Sequence, residues 1–231
     1  MKNERANGKA LLPRPRVDKR AALIDIGTVI FTEKGFSSTG LDEIVQAAEV
    51  PKGSFYYYFA SKEEFAIAVI GNYGKYFGRK LERILENQAK TPLARLKAFT
   101  EEASNGMRRF DFKRGCLIGN LGQEMASLEE NFRLVLLAVL REWRVRFAVC
   151  LQAAKDSGEI RTPVDATTLS HFFWCAWEGA VLCAKLERSA ASLEIVRDVF
   201  FEHTLEPATS NQHLCASLRA SAPASQRTAI I

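Results

Sequence analysis

In the stretch Val50-Pro51-Lys52-Gly53-Ser54-Phe55-Tyr56-Tyr57-Tyr58-Phe59, three aromatic residues, Phe55, Tyr58 and Phe59, stand at i, i+3 and i+4. On a helix they form one apolar side, which leaves Gly53, Tyr56 and Tyr57 pointing outward beside Lys52 and Ser54. Pro51 is tolerable in a first turn because its missing N–H would have no intrahelical acceptor there. A short helix exposing two tyrosines, a lysine and an open glycine backbone is a costly surface unless something covers it. The competing reading is a plain aromatic core, and Tyr58 is assigned to it.

Working upstream, Leu41, Ile44, Val45 and Ala48 follow at helical spacing, with Thr39 as expected N-cap and Asp42 three residues on. Before them a supporting helix carries Leu23, Ile26, Ile30 and Phe31, and Gly35 supplies its C-cap after Lys34. Two short helices joined by a tight turn behind a supporting helix make the outline of a helix-turn-helix, the motif that places its second helix in the major groove of DNA. Downstream, Ser61 with Glu64 predicts a capping box. Phe65, Val69, Tyr73, Phe77, Leu81 and Ile84 then describe one long helix to about residue 87.

Further helices are expected after Thr91-Pro92, from near Cys116, from a Ser127/Glu130 cap to about Ser157, from Asp165, and from Ser192 or a neighbour through Phe200. Strand-like alternation is missing throughout, so the fold class is all-α. The organisation expected is a basic arm over 1–17, a helix-turn-helix domain over 18–62, a helical ligand-binding and dimerisation domain over 63–206, and a polar, Ala/Ser-rich disordered tail over 207–231.

Between Met1 and Arg20 stand seven basic residues against two acidic ones, so that segment carries the same +5 as the whole 231-residue chain. Positive charge gathered at one end suits a DNA-binding arm, in which Arg14 and Arg16 could track a minor groove; a solubilising tail fits equally. The first twenty residues lack the apolar run of a secretory signal, so the expected place is the cytoplasm. The longest apolar run, Leu134 to Leu140, falls far short of the roughly 18–20 residues that cross a bilayer. Five cysteines without a C-x-x-C pair, and three histidines without metal-ligand spacing, predict neither a disulfide framework nor a metal or other cofactor.

Gly35-Phe36, Thr39, the Val50 to Phe59 stretch and Ser61-Lys62-Glu63 together resemble the signature of TetR-type bacterial regulators over about residues 18–65. The resemblance implies a homodimer on double-stranded operator DNA. Lys52, Gly53 and Ser54 would enter the major groove, Tyr56 and Tyr57 would contact phosphates and base edges, and Thr39 and Lys62 would hold the DNA backbone. Pro51 departs from the family's usual Ser or Thr, and Tyr57 from a frequent histidine.

Lys113-Arg114-Gly115-Cys116-Leu117, Asn120 to Glu124, and Trp177-Glu178-Gly179-Ala180 with Ala184-Lys185 resemble a narrower branch that includes the acrylate- and N-ethylmaleimide-responsive repressors. The residues also speak for themselves: Cys116 at a helix N-terminus after two basic residues is placed to be a thiolate, the form that attacks electrophiles. A small buried cysteine is the bland alternative. Trp174, Glu178, Val181 and Lys185 share a face, as a lined pocket would need; Glu178 and Lys185 could equally be solvated ions at a rim. Cys150, Cys175 and Cys183 are read as core.

The expected effector site is therefore Cys116, Lys185, Arg114, Asn120, Trp174, Trp177 and Glu178. The ligand is either an electrophile such as an unsaturated carbonyl, or an oxidant, that reacts at Cys116 with Lys185 assisting, or a small carboxylate such as acrylate paired with Lys185 or Arg114. A thiol-dependent enzyme fares poorly because the nearest candidate base, His171, is expected on a densely apolar helix. A helical interaction module without DNA leaves the Lys52 to Phe59 surface unexplained.

Overall fold

Asp18 accepts hydrogen bonds from the amides of Arg20 and Ala21, and from it α1 runs Lys19–Lys34. The structure, a computed structural model, describes residues 18–207; the expected arm with Arg14 and Arg16, and Cys215, lie outside the described residues. Gly35 ends α1 at φ +85°, and its N–H donates to the Phe31 carbonyl at 3.1 Å. Two short helices follow, α2 Leu41–Ala47 and α3 Lys52–Tyr58. Then comes the long α4, Lys62–Leu85, whose first turn is capped by Ser61.

Thr91 and Pro92 open α5, Pro92–Arg109, and α6 is Leu117–Met125 with Cys116 at its N-cap. The two longest remaining helices are α7, Glu130–Asp156, and α8, Ala166–Glu187, the latter capped by Asp165. The described chain closes with α9, Ala191–Asp198, which runs into a π-helical turn over Val199–Thr204. Among the described residues, extended pairing is limited to one antiparallel bridge between Ile160 and Pro207, so the all-α class holds. That bridge ties Pro207, expected in the tail, to the folded body.

Several expected caps are wrong. Thr39 does not cap α2: Gly40 is the N-cap, and the Thr39 hydroxyl turns back to the Gly35 carbonyl at 2.7 Å. Glu129 rather than Ser127 precedes α7, since Leu128 and Glu129 both donate to the Met125 carbonyl and the chain is still closing off α6 there. The start of α9 falls at Ala191, a neighbour of Ser192 as expected, with Ala190 before it and the Ser192 hydroxyl bonded to Glu187 at 2.9 Å. At Ser61 the expected reciprocal bond shifts by one residue, the Glu64 carboxylate taking the Ala60 amide at 2.7 Å.

The N-terminal core is a knot of rings. Phe65 of α4 lies 5.8 Å from Phe31, 5.3 Å from Phe55 and 5.0 Å from Phe59. It therefore binds α1 and α3 to the start of the long helix. Further along α4, Gly74 lets the helix settle on α7, where a side chain would meet Val139 at 2.9 Å. A second aromatic core then forms from Phe77, Phe99, Trp143, Phe147, Phe173 and Trp174. No helix of the described residues is long and apolar enough to cross a membrane.

Phe65→Ala removes a ring buried to 0 % exposure from the junction of three helices. It should cost about 3–5 kcal/mol, as buried aromatic truncations do. Urea unfolding followed by far-UV circular dichroism measures it.

Candidate functional site

α3 presents two faces. Phe55 is buried and Phe59, its C-cap, is 1 % exposed, while Tyr56 and Tyr57 are 56 % and 82 % exposed. A side chain at Gly53 would meet no atom within 4 Å, so the backbone there is open to an approaching ligand. Lys52 pairs with Asp42 of α2 at 2.7 Å, and that hydrogen bond and charge keep its ammonium more strongly protonated than usual. Ser54 is half-buried, its N–H donating to the Pro51 carbonyl at 2.8 Å. The outward surface is thus two tyrosines, a lysine and bare backbone.

Behind it, the turn between α1 and α2 is clasped by α6. The Glu124 carboxylate accepts the Phe36 amide at 2.8 Å and the Ser37 amide at 2.5 Å. Burial pushes that carboxyl up, but the Ser37 and Phe36 hydrogen bonds and the nearby Lys62 charge outweigh it and hold it below its ordinary value. The Lys62 ammonium donates to the Phe36 carbonyl at 2.6 Å and lies 4.1 Å from the centre of the Phe36 ring. Asn120, one turn earlier on α6, donates to the Thr32 carbonyl at 2.9 Å, and Arg114 pairs with Glu33 at 2.7 Å. Three contacts join one short helix and its leading segment to the end of α1.

The other end of α6 borders a cavity of about 550 Å³ between α1, α4, α5 and α8. Phe77, Trp174 and Trp177 give it apolar walls, Lys80, Glu102, Arg109 and Arg114 are its charged lining, and Tyr73, Cys116 and Glu178 meet on one side. Cys116 and Glu178 keep some surface open to the cavity, yet protein surrounds both closely. Burial, reinforced by the Glu178 charge, pushes the Cys116 thiol well above its ordinary value. Burial likewise carries Glu178 to about 7, with the Cys116 thiol pulling weakly the other way. Burial also drives the Tyr73 hydroxyl up, so it stays neutral.

Residues 23–69 match the family model described as "Bacterial regulatory proteins, tetR family", and residues 92–200 match "Tetracyclin repressor-like, C-terminal domain". The chain is 46 % identical to the transcriptional regulator AcuR of Cereibacter sphaeroides, over 79 % of this chain and 83 % of that one. This chain belongs to the TetR family. It is also 28 % identical to the transcriptional repressor NemR of Escherichia coli, over 77 % of this chain and 89 % of that one. The crystal structure of a TetR regulatory protein from Rhodobacter sphaeroides superposes with a TM-score of 0.78 at 45 % identity, covering 80 % of this chain and 98 % of the other. TetR proteins are DNA-binding transcriptional regulators that act as dimers, and this one is a repressor of the branch to which AcuR and NemR belong, not an enzyme.

Against the expected site, this TetR-family fold brings Cys116, Arg114, Trp174, Trp177 and Glu178 to one cavity. Asn120 is not there, being spent on Thr32. Lys185 packs its stem on Gly115, and the charge acting on the sulfur is the Glu178 carboxyl; the resting thiolate expected from Lys113 and Arg114 is corrected to a buried thiol. Thr39, 1 % exposed, and Lys62, bonded inward, do not present the DNA-facing groups expected of them. Cys150 is core as expected, whereas Cys175 is exposed and Cys183 half-buried. His171 is exposed on α8. Tyr73, Arg109 and Glu124 were missed as site residues.

A carboxyl whose value rises on folding binds more protons in the native state, so its charging costs stability as pH climbs from its unfolded range of about 4.3 to about 7. Glu178→Gln should therefore raise the melting temperature at pH 8 and raise it by much less at pH 5, where only the first part of that cost is present. Thermal scans of both proteins at the two pH values check this.

Proposed function

We propose that this repressor is a homodimer acting on operator DNA in the cytoplasm and is released by an effector lodged in the cavity beside Cys116. One observation carries the reading: α6 begins at the cavity wall, at Cys116, and ends with Glu124 clasping the α1–α2 turn. A ligand that displaces the first turn of α6 pulls on the helix-turn-helix through Glu124, Asn120 and Arg114. The long α4 carries the same movement, since Phe65 ties it to α3. A coupling of about 1–3 kcal/mol would change operator affinity roughly 5–150-fold.

The dimer face proposed is the outer side of α7 and α8, where Val145, Val149, Phe172, Leu182 and Leu186 are exposed. A two-fold pair of α3 helices reads half-sites about 34–36 Å apart. Lys52, Gly53, Ser54, Tyr56 and Tyr57 form the DNA-facing set, with Lys52 exchanging Asp42 for a phosphate.

The effector is an electrophile that bonds to Cys116. A small carboxylate such as acrylate, held without a covalent bond, is the second reading; it is favoured by Arg109, which lines the cavity and makes no ion pair among the described residues. Treated and untreated protein compared by mass spectrometry, with operator release by Cys116→Ser alongside, separates the two. Normal release by Cys116→Ser without an adduct leaves only the carboxylate.

Lys52→Ala with Tyr56→Ala should abolish operator binding while helicity and dimer mass stay intact; loss of the dimer would show that α3 is core instead. Wild-type affinity should fall steeply between about 50 and 200 mM salt, because phosphate contacts release counterions. Gel shifts across that range and sedimentation of the variant test both points. Glu124→Gln should uncouple the domains, with Phe36 and Ser37 amide exchange faster by about tenfold, the factor for roughly 1.4 kcal/mol from a charge-assisted bond.

A further inference from the structure

The cavity contains a buried thiol and needs something to take its proton before the sulfur can react. Among the titratable residues that line it, most are unsuited. Tyr73 from α4 is a neutral phenol under heavy desolvation, and Tyr76, also from α4, is a phenol whose side chain is largely exposed. Glu102 from α5 is partly desolvated, but Arg83 and Lys80 outweigh that and hold it firmly ionised, which makes it a weak base. Lys80, Arg109 and Arg114 are cations that cannot accept a further proton, and Arg114 is paired with Glu33. Lys185 lies against Gly115 and does not line the space.

Glu178 remains. A side chain at Gly119 would run into its carboxylate and would also touch the Cys116 Cβ at 3.8 Å, so both groups converge on the bare first turn of α6. Glycine at 119 is what leaves room for the carboxyl beside the sulfur.

We propose that Glu178 is the base that takes the Cys116 proton when an α,β-unsaturated carbonyl compound enters the cavity. The inference rests on the covalent reading above. As the thiol proton passes to the Glu178 carboxylate, the sulfur electron pair forms a bond to the β-carbon. The carbon–carbon π bond breaks and its electrons move toward the carbonyl oxygen. The proton held on Glu178 then goes to the α-carbon, which restores the carboxylate. The net change is addition of S–H across the double bond, with no oxidant or reductant required. Burial lifts the Glu178 carboxyl to about 7, near the operating pH, so it is a stronger base than an exposed carboxylate would be and is still partly ionised there, the match under which a general base acts well.

The test measures the rate at which methyl vinyl ketone adds to Cys116 in the full chain, by peptide-resolved mass spectrometry from pH 5 to 9. In wild type the rate should climb with pH and level off above about 7, where Glu178 is ionised. Glu178→Gln should slow it roughly 100-fold at pH 7, within the range expected of a lost general base, and remove the levelling. Glu178→Asp, which keeps the carboxylate, should retain a levelling profile at reduced rate. The thermal scans described above verify the fold of each variant. An adduct forming at Cys116 with an unchanged rate and profile in Glu178→Gln overturns the role of Glu178 alone. Absence of any Cys116 adduct in wild type overturns the covalent reading and this inference together.

Discussion

A helix of seven residues is marginal in water on its own hydrogen bonds, because nucleation costs more than so few bonds return. Both α2 and α3 have that length. The DNA-facing surface can therefore exist only while α3 is held from behind, and Phe55, Phe59 and Phe65 do the holding with ring centres 5.0 to 5.4 Å apart. Burying Phe55 and Phe59 fixes the rotation of α3, and that rotation sends Tyr56, Tyr57 and Lys52 outward. The aromatic core and the exposed tyrosines are two consequences of one packing constraint.

On the proposed release by an effector, the same constraint gives control a route to α3. A recognition helix anchored by its own caps would be indifferent to the rest of the molecule, whereas this one takes its position from the start of α4 and, through the α1–α2 turn, from α6. Phe36 lies where these influences meet. Its amide is held by Glu124, its carbonyl by Lys62, and its ring packs on Phe132 of α7 at 5.4 Å. Gly35 beside it can hardly be replaced, for its φ of +85° disfavours any side chain and a Cβ would approach the Glu124 carboxylate at 2.6 Å.

How much of this was legible in the sequence differs by the range of the interaction. Helical spacing and local caps are visible in neighbouring residues, so Gly35, Ser61, Thr91 and Asp165 were read correctly from a few positions of context. Thr39 and Ser127 look the same locally and fail because the turns just before α2 and α7 are closed by other hydrogen bonds. In the site, the grouping of Trp174, Glu178 and Val181 followed from the period of α8, and all three line the cavity. Glu124 could not be found that way, since its partners are backbone amides of another helix pair. Cys175 was read as core because α8 is apolar nearly all round; a helix buried on one side by its own chain and exposed on the other looks identical in sequence.

The charge state of Cys116 is the most instructive failure. Two cations precede it in sequence and the helix dipole favours its anion, yet Arg114 turns toward Glu33 and Phe110, and the Glu178 carboxyl lies beside Cys116 at the first turn of α6. Proximity along the chain gave the wrong sign because burial, reinforced by the Glu178 carboxyl of α8, outweighs the helix end and its basic neighbours. On the proposed mechanism the reversal has a use. A thiolate exposed to a cavity reacts with any oxidant or electrophile that reaches it, and its reaction says little about what arrived. A buried thiol that must hand its proton to a particular carboxylate reacts only with a molecule that fits between Trp174 and α6 long enough for the transfer. Selectivity then comes from the shape of the space around Glu178 and not from the intrinsic reactivity of the sulfur.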